Sequence, residues 1–145
     1  MARRAERQIE VEGTPQQCFD ALTDFGTYPH WQEAVKACAV ETRDRQGRGR
    51  RVQFQLEAEL NSISYTLDYS YEEPHLVAWD FVEGDVGGID GEFVLEERGD
   101  GTTLATYALR IEPGMWMPDK IALVLRDRLM EHSVENLKAR VEEPE

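Results

Sequence analysis

Residues Arg51–Gly84 read RVQFQLEAELNSISYTLDYSYEEPHLVAWDFVEG. Val52, Phe54, Leu56, Ala58 and Leu60 take alternate positions, then Ile63, Tyr65, Leu67, Tyr69 and Tyr71, then Val77, Trp79 and Phe81. Alternation of this kind marks a strand with one buried and one wet face, because successive side chains point to opposite sides of a sheet. Glu57, Glu59, Asp68 and Asp80 fall between the apolar positions and belong to the wet side. The three stripes therefore share one apolar face, which either packs solidly or lines a space.

The same period extends in both directions. It predicts strands near 35–43, 50–60, 62–72, 75–83, 89–97 and 102–111. The connections RQGRG, LNS, EEPH, EGDVGG and RGDG carry turn residues. Their shortness makes neighbouring strands antiparallel. Upstream, residues 5–12 read as a first strand, with Ile9 and Val11 on one side. Thr14 and Pro15 then suit the N-cap and first position of a short helix bearing Phe19 and Leu22. FGTYPHW follows as a compact connection with room for one more helical turn.

From Pro118 to about Glu142 the period becomes helical. Met130, Val134, Leu137 and Val141 share a face, whereas KIALVLRDRLM is apolar nearly all round. A helix apolar on both sides at one end is expected to bury both sides there. The sum is an α+β chain in which one long helix covers one sheet face.

The chain has 145 residues, which suggests one domain over 1–145 with an ordered core near 6–142. Its net charge of −13 repels nucleic acid and anionic headgroups. The longest apolar run, Ile121–Leu125, is far short of the roughly 20 residues that span a bilayer. No apolar segment follows the basic start, so no signal peptide, no stable membrane insertion and a cytoplasmic location are expected. Cys18 and Cys38 show no zinc spacing and read as reduced, small hydrophobes. The exception to the acidic character is Arg43, Arg45, Arg48, Arg50 and Arg51, a solvated hairpin tip or a docking patch for an acidic partner.

LTDFGTYPHWQEAV, YTLDYSYEEPHLVAWDFVEG, GDGTTLATYALRIEP and LMEHSVENLKARVE, in that order and spacing, resemble the START-like superfamily. The nearer branch is similar to the bacterial polyketide cyclase/dehydrase and lipid-transport proteins, with coenzyme Q-binding and ribosome-association toxin proteins alongside. The resemblance implies a helix-grip fold: a curved seven-stranded antiparallel sheet wrapped round a long C-terminal helix, with two short helices after the first strand. It also implies a cavity between sheet and helix that takes lipids, quinones, polyketides or aromatic substrates.

On that expectation the ligand-binding residues are Phe54, Tyr65, Leu67, Tyr69, Trp79, Phe81, Phe93, Thr103, Tyr107 and Leu109 from the sheet. Trp116, Ile121, Leu125 and Leu129 would form the lid. Three tyrosines on one buried face each bring a hydroxyl that needs a partner, where phenylalanine would pack at less cost. His30 lies in the packing connection and is a poor candidate base; geometry and pKa must both suit a base. No metal-ligand spacing, nucleophile elbow, phosphate loop or dinucleotide fingerprint is present. No cofactor is expected. No arginine falls on the inward face of a strand, so an enolate would have no cationic stabiliser.

Three readings follow. The first is a binding or carrier protein for a hydrophobic small molecule, as a monomer or homodimer. The second is a metal-free aromatic polyketide cyclase or dehydratase using Tyr65, Tyr69, Tyr107 and Thr103. The third is a ribosome-association type of interaction module using the arginine cluster.

Overall fold

The computed structural model describes residues 4–58, 61–114 and 118–143. Strand β1 (Ala5–Val11) leads into helix α1 (Pro15–Thr23), a 3-10 turn at Phe25–Thr27 and the short helix α2 (Tyr28–Trp31). Strands β2 (Val35–Arg43), β3 (Gly49–Ala58), β4 (Asn61–Glu72), β5 (Leu76–Gly84), β6 (Gly88–Glu97) and β7 (Thr103–Glu112) follow, then helix α3 (Asp119–Glu142). The strands form one antiparallel sheet in the order β1-β7-β6-β5-β4-β3-β2.

β1 and β2 are thus opposite edges of the sheet. The segment joining them crosses its full width, and α1 and α2 close one end of the concave side. Local chemistry fixes where α1 starts. The Thr14 hydroxyl accepts from the Gln17 amide, the Gln17 side chain accepts from the Thr14 amide, and Pro15 has no N–H to leave unpaired. α1 packs over β5 and β6, α2 over β2, and both touch α3.

The sheet is curved at irregular pairings. The register shifts between Thr66 and Leu67 on β4, and at several points between β2 and β3. Such irregularities bend and twist a strand. Gly84 sits opposite Tyr65 with φ +154°, and a Cβ there would lie 2.5 Å from the Tyr65 Cβ. A side chain at that position would push the strands apart.

α3 lies against β1, β7 and α1. Its inner face buries Ala122, Leu125, Leu129, Met130, Val134 and Leu137. The C-terminal half is fastened to β1. Lys138 Nζ donates to the Glu10 carbonyl at 3.0 Å, and Glu142 Oε2 accepts from the Glu12 amide at 2.8 Å. The N-terminal half departs from expectation. Ile121, Leu123 and Val124 are 54%, 49% and 56% exposed, so its second apolar side is not buried. The sheet and α1 cover only one side of the helix, and the described residues bring no element over the other.

Candidate functional site

Between the concave face and α3 lies a cavity of about 60 Å³. From the sheet, Phe54, Tyr65, Leu67, Tyr69, Trp79, Phe93, Tyr107 and Leu109 line it, and Leu129 closes it from α3. The strand period explains the set: each of these sheet residues is on the inward phase of its strand. The volume is small because the rings pack on one another. Phe93 stacks on Tyr107 with centroids 4.5 Å apart, and Phe54 stacks on Tyr65 at 5.5 Å. Trp79 lies 5.7 Å from both Tyr69 and Tyr107. The apolar stripes are therefore a packed aromatic layer with a residual cleft.

Four expected residues stand elsewhere, and a fifth is not among the described residues. Phe81 is partly buried at the margin of the core, because β5 and β6 pair only from Leu76 to Trp79 and then part. Thr103 is fully buried on the inward phase of β7, but its hydroxyl donates to the Gly13 carbonyl at 2.7 Å beneath α1. Ile121 points to solvent. Leu125 is buried on the inner face of α3 without reaching the cavity. Trp116 lies outside the described residues.

The structure adds residues that periodicity did not single out for the site. Leu22, Tyr28, Gln32, Ala34 and Val35 reach the cavity from the β1–β2 connection and the start of β2; Val77 and Ile89 reach it from the sheet, and Ser133 from α3. A four-residue helix has no periodicity to read, so nothing in YPHWQ marks Gln32 as inward. Ser133 stands one turn beyond Leu129 on the same helix face, which could have been seen.

The polar groups divide into satisfied and unsatisfied. Tyr28 donates its hydroxyl to the Leu22 carbonyl, and Tyr71, outside the cavity lining, to the Gly49 carbonyl. The Ser133 hydroxyl lies beside the Tyr107 phenol, within reach of it. The Tyr65 and Tyr69 hydroxyls and the Gln32 side-chain amide have no protein partner among the described residues. Burial pushes the phenols of Tyr28, Tyr65, Tyr69 and Tyr107 well above their ordinary pKa, so all four are neutral hydrogen-bonding groups at physiological pH. Tyr69 is enclosed by protein yet keeps part of its surface open, because that surface faces the cleft.

A sequence profile described as polyketide cyclase / dehydrase and lipid transport matches residues 2–142. The chain belongs to this family. Solved structures of the same shape include a START superfamily protein from Mycobacterium smegmatis. It is 22% identical, with 98% of this chain and 99% of that one covered and a TM-score of 0.87. The Zhui aromatase/cyclase from Streptomyces sp. R1128 is 13% identical over 98% and 94% of the two chains, with a TM-score of 0.86. A STAR-related lipid transfer protein from Xanthomonas axonopodis is 14% identical over 97% and 86%, with a TM-score of 0.77. No curated protein sequence matches the chain. The fold is the START-like helix-grip fold, as the sequence resemblance implied.

Within this family fold, the other candidate features are occupied with structure. Arg48 bonds Asp44 and Glu73, each at 3.1 Å, and lies 4.7 Å over the Tyr71 ring. Arg51 makes two bonds to Asp68, at 2.8 and 3.1 Å, and Arg43 donates to the Gly47 carbonyl. The hairpin arginines thus serve largely to hold the hairpin and its neighbouring strand. Arg110 pairs with Asp90 and Glu112 on the outer face. His30 is exposed. No group of three potential metal-binding side chains occurs among the described residues, and no helix there is long and apolar enough to cross a membrane.

Proposed function

We propose that this family member binds or carries a hydrophobic small molecule in the cleft between the concave sheet face and α3. The observation that carries this reading is a cleft walled by aromatic rings in which Tyr65 and Tyr69 keep hydroxyls without a protein partner among the described residues. A core built only to be solid would place phenylalanine there. At about 60 Å³ the cleft holds about four waters, so a guest enters by displacing rings or the N-terminal half of α3. That half of the helix lacks a side-chain N-cap and is exposed on its outer side.

The cyclase/dehydratase reading has less support. Among the described residues the lining offers no carboxylate, imidazole or cation, and its phenols are pushed away from the range of a working base. Thr103, counted toward that chemistry, is spent on Gly13.

Titration with 2-nitronaphthalene, an uncharged contact quencher, tests the binding reading through Trp79 in the cavity wall. Saturable quenching that Trp79→Phe removes is the expected result. Linear quenching without saturation, unchanged in Trp79→Phe, would defeat it.

A further inference from the structure

Gln32 is 5% exposed and Tyr65 is 7% exposed, and both line the cavity. Neither has a hydrogen-bond partner for its polar side-chain atoms among the described residues. Among the described residues, the one fully enclosed side-chain polar atom left without a partner is Asn136 Nδ2, far along α3. The Gln32 amide and the Tyr65 hydroxyl therefore keep their access through the cleft. A primary amide offers two donors and an acceptor, and a neutral phenol offers one donor and an acceptor. Among the described residues, no charged side chain lines the cavity.

From these facts we propose that Gln32 and Tyr65 supply the polar contacts of the pocket wall and select uncharged ligands bearing a carbonyl or hydroxyl oxygen over ligands bearing a carboxylate. This assignment rests on the ligand-binding reading above and narrows it. A carboxylate taken into this wall would lose its hydration without gaining a cation. The −13 net charge of the chain disfavours its approach as well. A ketone or phenol loses little water and gains the amide and phenol donors. A site built to hydrogen-bond an oxygen also discriminates against the isostere that lacks it, because its own buried groups are then left unpaired.

The test is calorimetric titration at pH 8 with three naphthalenes of matched size: 2-acetylnaphthalene, 2-ethylnaphthalene and 2-naphthoate. The proposal expects 2-acetylnaphthalene to bind at least about tenfold more tightly than 2-naphthoate, and several-fold more tightly than 2-ethylnaphthalene. In Gln32→Leu, with folding checked by circular dichroism, the advantage of the acetyl over the ethyl compound disappears while 2-ethylnaphthalene still binds. Tyr65→Phe reduces that advantage in the same direction. The comparison within the unaltered protein stands even if a variant fails to fold. Equal affinity for all three probes, or preference for 2-naphthoate, overturns this assignment and leaves the pocket. Binding of none of them overturns both.

Discussion

At the scale of single residues, burial alone separates reactive from inert groups. Cys38 on β2 pairs with Phe54 and is partly buried against the core, and burial pushes its thiol up to about 12. Burial likewise raises the Cys18 thiol to about 11, against the neighbouring Thr103 hydroxyl, which acts to lower it. The thiolate is the nucleophile, so iodoacetamide at pH 8 should label the native protein on the order of a hundredfold more slowly than the unfolded chain. Intact mass against time reads this; comparable rates would mean that the thiols are not held in the packed layer. Both folded pKa values lie above the unfolded one. Their contribution to stability is therefore full below pH 9 and is lost as pH rises through about 11 and 12. The midpoint of thermal unfolding should fall across that window, and less steeply in Cys38→Ala. Thr103→Val should cost about 1–3 kcal/mol, by leaving the Gly13 carbonyl unpaired, without changing probe affinity. A loss of affinity at unchanged stability would put Thr103 back in the site. Gly91 sits opposite Trp79 with room for no side chain: a Cβ would lie 2.2 Å from the Ala108 carbonyl oxygen and 3.0 Å from the Trp79 ring. Gly91→Ala should destabilise the fold and disturb the cavity wall together.

The elements show which signals a sequence carries. Among the described residues, the seven strands and helices α1 and α3 fall where period and turn chemistry put them, because each rule is local: two residues for a strand, 3.6 for a helix, a cap at its start. What escaped was non-local. Phe81 continues the stripe of Val77 and Trp79 perfectly, yet β6 leaves β5 after Trp79 and carries the wall with it. Gln32 follows a helix too short to have a face. Ile121 stands on a helix stretch apolar all round, where sequence cannot say which side remains uncovered. α3 is asymmetric in its fastening: Lys138 and Glu142 hold its end to β1, while its beginning is uncapped by any side chain. Amide hydrogen exchange should therefore run faster in 119–128 than in 130–141, and 2-acetylnaphthalene should slow the former more. Uniform protection along α3, unaltered by the probe, would argue against access at this end. Asn136 belongs to the same helix. Its Nδ2 is enclosed without a partner among the described residues, so Asn136→Leu should leave stability unchanged or raise it by up to about 1 kcal/mol. A loss above about 2 kcal/mol in denaturant melts would show that the amide is satisfied in solution.

For the molecule as a whole, two edge strands at opposite ends of one sheet force the β1–β2 connection across the concave side. That crossing, with α3, makes the enclosure. The family and the helix-grip arrangement were legible from the order of the segments. The size of the enclosure was not, because the same aromatic stripe makes a solid core or a wide pocket depending on sheet curvature and ring packing. The −13 charge and the uncharged lining act together, one at long range and one at contact, toward neutral apolar guests. A guest that binds the folded state alone should raise its stability by about 2.7 kcal/mol at a hundred times its Kd. The most direct test of the cleft as a binding site is gentle native mass spectrometry of the protein isolated from its own host, with organic extraction of whatever it carries, followed by incubation with 2-acetylnaphthalene. The account predicts a one-to-one adduct, either with an extractable neutral, apolar compound or with the added probe. A bare protein mass in both cases would contradict it and return the aromatic face to the role of a solid core.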